Sequence, residues 1–535
     1  MINRRAWLGD VGRMGLWGAS ASSWPFLSAC APWPIGSTSA LPRRTPEQLG
    51  MASSAIHRFV DAVGQQGFEL HGFVLMRHGQ VAAEGWWKPY GPRYVHSLYS
   101  MSKSFTSTAV GLAVAEKRLS VDDRVVSFFP DDLPAQVSPN LAAMRLRDLL
   151  TMATGHETEP TWNMVRSPHW VRHFLAAPVS RPPGKHFVYS SAATYMCSAI
   201  MQKVTGQRTV DYLRPRLFDP LGIAQAHWEV SPQGIDVGGW GLYLQTESMA
   251  RFGQLYLQDG RWQGQQLLPS DWVRQATAPQ ILTTRPAQAR RPDDRNDWMQ
   301  GYGYQFWRST NDGFRGDGAY GQFTIVLPKQ SAVLAIHAEC RDMQGVLDLV
   351  WQHLLAGMKD EPLAADGAAH ARLVDALQAL SLPMPQGASR SARAREVSGR
   401  RYRLEPNPLG LDWLSPTFAD ESAQLVLTGP TAQHSLQVGL GAWWRGHTAL
   451  PGTPPRLSPG GAPPAGTAHL YMGAGAWTSP TRFEMMMRFV ETAHHDRLTL
   501  QFDADEVHLT FKGSLVAIGA QAHEERPVLR GRAAA

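Results

Sequence analysis

Tyr99-Ser100-Met101-Ser102-Lys103-Ser104-Phe105-Thr106-Ser107 opens the clearest helical pattern of the chain, Met101 to Lys117. Small and apolar residues recur at helical spacing, Lys117 and Arg118 suit the negative end of the helix dipole, and Ser120 is placed to cap the next segment. A serine and a lysine three apart at a helix start share one face, about one turn apart. The amine then approaches the hydroxyl, while the helix N-terminus favours negative charge developing there. The pairing is singular in this sequence: of eight lysines, only Lys103 follows a serine at that spacing.

Outward from this helix, strand patterns lie at both ends of a first domain. Phe73 to Val81 reads as a strand, turn and return strand, and strand patterning resumes at Gly303-Tyr304-Gln305-Phe306-Trp307, Phe323 to Leu327 and Ala332 to His337. Between them the pattern is helical, including Glu247 to Leu257, which Asp259-Gly260 ends; a last helix spans Met343 to Met358. Strands from distant segments must therefore assemble one antiparallel sheet flanked by helices, with an all-helical insert, an α+β arrangement. Residues 46–359 form this domain, and residues 360–398, rich in Ala, Gly, Ser and Arg with one short helix (Ala371 to Leu380), read as a linker.

Residues 399–535 alternate with period two. Phe483, Met485, Met487 and Phe489 share one face opposite Glu484, Met486 and Arg488; Leu498, Leu500 and Phe502, then Val507, Leu509 and Phe511, repeat the pattern across Asp503-Ala504-Asp505. This predicts a separate antiparallel all-β accessory domain, with Pro451 to Gly466 as a long exposed loop.

The first thirty residues read as an address. Arg4-Arg5 is a twin-arginine pair, Gly15 to Leu27 is mildly apolar, and Leu27-Ser28-Ala29-Cys30 resembles a lipobox whose cysteine is lipidated. An exported, periplasmic or membrane-anchored lipoprotein is expected, held by lipid rather than by a span, with residues 31–45 as a Pro/Ser-rich tether. At 535 residues more than one domain is expected. No run of eighteen apolar residues occurs, which excludes a polytopic membrane protein. The basic excess of six is scattered rather than gathered on a face, so nucleic acid is not an expected partner. With three cysteines no disulfide framework holds the fold; Cys197 and Cys340 are expected to be buried as small hydrophobes.

Two further segments carry chemistry. Pro183-Gly184-Lys185-His186-Phe187-Val188-Tyr189-Ser190-Ser191 places a tyrosine just before a helical run, and Arg315-Gly316-Asp317-Gly318-Ala319-Tyr320-Gly321-Gln322 precedes a strand with glycines that permit close backbone approach. With the Ser100–Lys103 element, Arg147 to His156 and Met249 to Leu257, these strings resemble the serine β-lactamase-like superfamily, which holds class C β-lactamases, D-alanyl-D-alanine carboxypeptidases, esterases and nylon-oligomer (6-aminohexanoate-dimer) hydrolases. The Gly303–Trp307 and Gly321-Gln322 strings are most similar to the last branch.

The resemblance implies a serine hydrolase in which Ser100 is the nucleophile, Lys103 its base and Tyr189 the group that passes the proton on. It implies an oxyanion hole from the backbone N–H groups of Ser100 and Ala319, and no cofactor or metal. The family's Tyr-x-Asn has Ser191 at its last position, and the strand motif, a Lys or His followed by any residue and Gly, is here Gly316-Asp317-Gly318; Ser191, Gly316, Asp317 and Gly318 are the expected substrate-binding positions. The missing cation disfavours substrates held by a carboxylate, such as β-lactams and peptidoglycan stems, unless Arg315 supplies the charge from next door. The expected partner is thus a small-molecule ester or amide, with β-lactamase or D-Ala-D-Ala carboxypeptidase activity, or a non-catalytic binding protein of the same fold, as alternatives. His156 and Glu157 read as structural, His494-His495-Asp496 as a surface turn between strands, and Gly473-Ala474-Gly475 as too little for a dinucleotide site. Tyr302 to Trp307 reads as core, with one of its rings a candidate for lining the acyl pocket.

Overall fold

The computed structural model describes residues 40–283, 295–457 and 466–534. Arg4-Arg5, the apolar run and Cys30 lie outside these residues, as do residues 31–39 of the tether.

Six strands form the central sheet: β1 (Leu70–Arg77), β2 (Gln80–Trp86), β3 (Trp307–Arg308), β4 (Phe314–Gly318), β5 (Gln322–Leu327) and β6 (Ala332–Ala338). Their order is β2-β1-β6-β5-β4-β3, antiparallel throughout, with Phe73 and Phe323 both opposite Ile336. Alternation along the strands builds a core on each face. Phe73, Leu75, Phe323, Ile325, Leu334 and Ile336 meet α1 (Ser53–Gln65) and the C-terminal helical segment Met343–Leu355. Val74, Met76, Val326, Val333 and Ala335 face α2 (Ser102–Ala115), α3 (Ser191–Thr205) and α4 (Thr246–Leu257). Every residue of α2 from Ser102 to Ala113 is buried, which explains its run of small side chains: it is packed on all sides and fixes Lys103, which it carries.

The expected α+β domain and C-terminal all-β domain are both present. The latter is a ten-stranded barrel between Tyr402–Leu404 and Leu529–Ala533, whose first and last strands pair; the seam closes where Gly439 and Leu440 run parallel to Ala474 and Gly475. Its interior holds Leu425, Leu436, Phe483, Met485, Met487, Leu498, Leu500, Phe502 and Leu509.

Several local expectations need correction. Gly303–Trp307 is not a strand: only Trp307–Arg308 pairs, and Gln305 turns the backbone at φ 66°, its side-chain amide bonding the Leu149 and Leu150 carbonyls. Residues 360–398 are no free linker. The helix α5 (Gly367–Ala379) and the chain after it pack onto the first domain, burying Leu373, Leu380 and Leu382 in its core, and Leu380 and Leu382 bond the backbone of Lys88. On the opposite face of Arg482–Arg488, Met486 and Arg488 are buried too, Arg488 against Glu69 of the first domain at 2.5 Å. Cys197 and Cys340 are free and buried.

Candidate active site

Ser100 lies in a single 3-10 turn, Tyr99–Met101, immediately before α2, and Tyr99 holds a left-handed φ of 47°. That turn leaves Ser100 half-buried at a pocket, while Lys103, one turn along, is almost wholly enclosed. The Lys103 amine donates to Ser100 Oγ at 2.9 Å, to Ser191 Oγ at 2.9 Å and to the Gly239 carbonyl at 2.7 Å. Burial lowers its pKa to about 7, against weaker opposing pulls from Glu159 and Asp317. The amine is thus substantially neutral at neutral pH and able to accept the proton of a hydroxyl already in contact with it.

Tyr189 comes from the irregular segment before α3. Its ring lies 4.9 Å from Lys103 Nζ and stacks on Trp307 at 5.4 Å, and its hydroxyl meets Ser100. Burial, reinforced by Asp317, pushes this phenol far above its ordinary range. It is therefore protonated in the resting site, so the two titratable neighbours of Ser100 differ in what they can do: the amine can accept a proton and the phenol holds one. The structure brings Ser100, Lys103, Tyr189 and Ser191 together.

The strand β4 arrives edge-on beside Ser100. A Cβ on Gly318 would lie 2.1 Å from the Leu98 carbonyl and 3.1 Å from the Ser100 nitrogen, so only glycine allows this approach, and the next residue, Ala319, lines the pocket with Ser100. Gly316, Asp317 and Gly318, the expected substrate-binding positions on this strand, are all buried, and the pocket wall begins at Ala319. A Cβ on Gly316 would meet Ser104 Oγ at 2.8 Å, and that hydroxyl is bonded to the Gln305 carbonyl at 2.8 Å. Arg315 is no substitute cation. It is fully buried, bonded to Asp317, Ser309 and the Asp297 carbonyl, and lies over Trp298.

Sequence reasoning missed Glu159, Gly239, Gln305 and the barrel's part in the site. Glu159 accepts from Ser190 Oγ at 3.0 Å and the Thr161 amide at 3.0 Å, steadying the start of α3. The pocket is walled by Tyr99, Trp162, Trp240 and Tyr243 from the first domain and by Pro454, Pro455, Arg456, Leu457, Thr492 and His494 from the barrel. The chain at Pro454 and Pro455 is thus buried, not an exposed loop. Arg456 lies 3.5 Å from Glu229, which Tyr243 Oη also meets at 2.7 Å. None of Tyr302–Trp307 lines this pocket; Trp307 stacks instead on Tyr189. His494-His495-Asp496 is no surface turn: His494 and Asp496 are buried, and Arg526 pairs with Asp496 at 2.8 Å. His156 is buried against Thr154, and Glu157 pairs with Arg181 at the surface. Glu69, Glu339 and His495 approach within 4.8 Å, a spacing open to a cation, but Arg488 already sits on Glu69 and His494 on Glu339.

A sheet with a helical insert, and a Ser-x-x-Lys turn facing a tyrosine and a glycine strand, define the β-lactamase fold of hydrolases. The family model described as Beta-lactamase matches residues 56–389, and the chain belongs to that family. It is similar to the 6-aminohexanoate-dimer hydrolase of Paenarthrobacter ureafaciens, at 24% identity over 283 residues, covering 49% of this chain and 70% of that relative. A solved structure from Bacillus anthracis, provisionally named a 6-aminohexanoate-dimer hydrolase, matches with a TM-score of 0.50 and 18% identity over 59% of this chain and 87% of that one. A penicillin-binding protein homologue from Caulobacter crescentus matches with a TM-score of 0.46 and 18% identity, over 57% and 97%.

Proposed function

We propose that the protein is a serine hydrolase that cleaves an ester or amide bond through an acyl-Ser100 intermediate. The observation that carries this reading is the Lys103 amine, buried, near pKa 7 and 2.9 Å from Ser100 Oγ. Neutral Lys103 takes the Ser100 proton as Oγ attacks the substrate carbonyl. The backbone N–H groups of Ser100 and Ala319 receive the developing oxyanion, a contribution of about 2.7–4 kcal/mol per donor. Tyr189 passes the proton to the departing alcohol or amine, the carbonyl–leaving-group bond breaks, and water, deprotonated through the same pair, releases the acid and restores Ser100. The absence of a basic residue at position 316, with Ser104 and Gln305 filling its space, supports esters and simple amides over substrates anchored by a carboxylate on that strand.

Fluorophosphonate labelling and chromogenic short-chain ester turnover, compared between wild type and Ser100→Ala, test the reading. Labelling and at least a thousandfold of turnover should vanish together; equal values in the two proteins would refute it. Nitrocefin hydrolysis far exceeding ester hydrolysis would overturn the substrate preference. We also read Arg4-Arg5 and Cys30 as an export and lipidation address; fatty-acid labelling of cells should disappear in Cys30→Ser, and its persistence would remove that reading.

A further inference from the structure

Tyr99 and Tyr320 flank the two candidate oxyanion donors, Tyr99 just before Ser100 and Tyr320 just after Ala319. Both hold a left-handed backbone, φ 47° and 68°, that bulky side chains avoid. Such residues persist only where their surroundings over-determine them. One side chain of the barrel contacts both rings. The His494 ring is edge-on to Tyr99 at 5.8 Å and to Tyr320 at 5.3 Å, and the two tyrosines are edge-on to each other at 5.6 Å. His494 Nε2 shares a hydrogen bond with Tyr99 Oη.

The histidine is itself fixed. Its Nδ1–H donates to Glu339 Oε1 at 2.6 Å, and the same carboxylate takes His495 Nδ1 at 3.1 Å and the Ser514 hydroxyl at 2.5 Å. Burial raises the Glu339 carboxyl, but the two adjacent histidines overcome that and hold it well below the usual range. Glu339 directly follows β6, and the amide of its neighbour Cys340 donates to the Tyr320 carbonyl at 2.9 Å. One end of this chain of contacts is thus anchored in the central sheet and the other in the barrel.

We propose that His494, held by Glu339, is a positioning residue that fixes the Tyr99–Ser100 and Ala319–Tyr320 backbone so that both N–H groups point at the developing oxyanion. The barrel is then part of the catalytic apparatus. The inference rests on the serine hydrolase reading, and it assigns His494 no contact with the reacting atoms.

The test uses the full chain with His494→Phe, which keeps a ring but loses both hydrogen bonds, His494→Gln, which can still meet Tyr99, and Tyr99→Phe, which breaks the same bond from the other domain. Two quantities are compared: kcat and KM on a chromogenic ester, and the inhibition constant of an arylboronic acid that forms a tetrahedral adduct on Ser100. In His494→Phe and Tyr99→Phe, kcat should fall ten- to a hundredfold with KM within about threefold, and boronate affinity should fall by a similar factor. His494→Gln should recover at least half of the logarithmic loss. A folded variant that keeps wild-type kcat, or loses kcat while binding the boronate as wild type does, would overturn the proposal. If His494→Phe does not fold, Tyr99→Phe decides on the same criteria. Ser100→Ala run alongside separates the two readings: turnover surviving in it removes the hydrolase reading itself, whereas its loss with unaffected Tyr99→Phe and His494 variants removes only the positioning role.

Discussion

Lys103 has to be neutral to act as a base, and neutrality in a lysine is obtained by burial. Its lowering from an ordinary 10.5 to about 7 amounts to on the order of 5 kcal/mol between folded and unfolded states. The sign of the shift fixes two outcomes. The proposed mechanism needs the unprotonated amine, so kcat/KM should rise tenfold per pH unit below about 7 and flatten above it; a flat profile from pH 5 to 8 would show that another group is the base. Stability moves as well, because the unfolded chain binds a proton at this lysine between pH 7 and 10 that the folded chain does not. The advantage of Lys103→Met over wild type in urea unfolding should therefore be largest at pH 7 and shrink by several kcal/mol towards pH 10, while the variant loses hydrolysis altogether. At this scale the sequence was informative where contacts follow from short spacings, as between Ser100 and Lys103. Gly239 contributes only a carbonyl, which every residue has, and nothing in its sequence neighbourhood could have revealed it.

The turn before α2 and the end of β4 act as a unit, since Gly318 brings the strand against the Leu98 carbonyl and Ser100 nitrogen. Gly318→Ala inserts a methyl group where the nearest atom would be 2.1 Å away, and that atom is backbone. The strand must withdraw, at a cost of about 1–3 kcal/mol, carrying Ala319 with it. Turnover should drop at least tenfold with a lowered Tm; a Gly318→Ala protein with wild-type kcat would show that the Ala319 N–H takes no part. β1, β5, β6 and α4 were readable because each is a run of residues buried almost throughout. Gly303–Trp307 had an alternation of aromatic and small residues and is a turn, because its glycine fits under the Ala276 carbonyl, 2.0 Å from where a Cβ would be, and Gln305 ties down the last carbonyls of the helix ending at Leu150. Alternation records which side chains are buried; it does not record what the backbone bonds.

At the scale of the molecule, the barrel supplies pocket wall, the His494 contact and a buried ionic anchor, all invisible to local pattern because the partners are remote: Tyr99 and His494 are 395 residues apart and Glu69 and Arg488 are 419 apart. A charged triplet between strands looks like surface until the surface it meets is known. The Arg488 anchor has a definite energetic signature. Its guanidinium is 2% exposed and Glu69 22%, so truncating the arginine strands a carboxylate that is largely out of water. Arg488→Met should destabilise the protein by about 3 kcal/mol at pH 7, the low end for a broken buried pair because Glu69 retains some solvent. Burial raises the Glu69 carboxyl, but Arg488 together with His71 and His495 outweighs it and the group sits low, so the pair's contribution is present at neutral pH and lost as pH falls. The deficit of Arg488→Met should accordingly narrow towards pH 4, where the stranded carboxyl takes up a proton. Adding Glu69→Met to Arg488→Met should restore most of the loss at pH 7, since two apolar groups leave no charge unpaired. A double variant as unstable as the single one in urea unfolding would mean that Arg488 holds the barrel through its packing, including its approach to Trp443 at 5.9 Å, and not through Glu69.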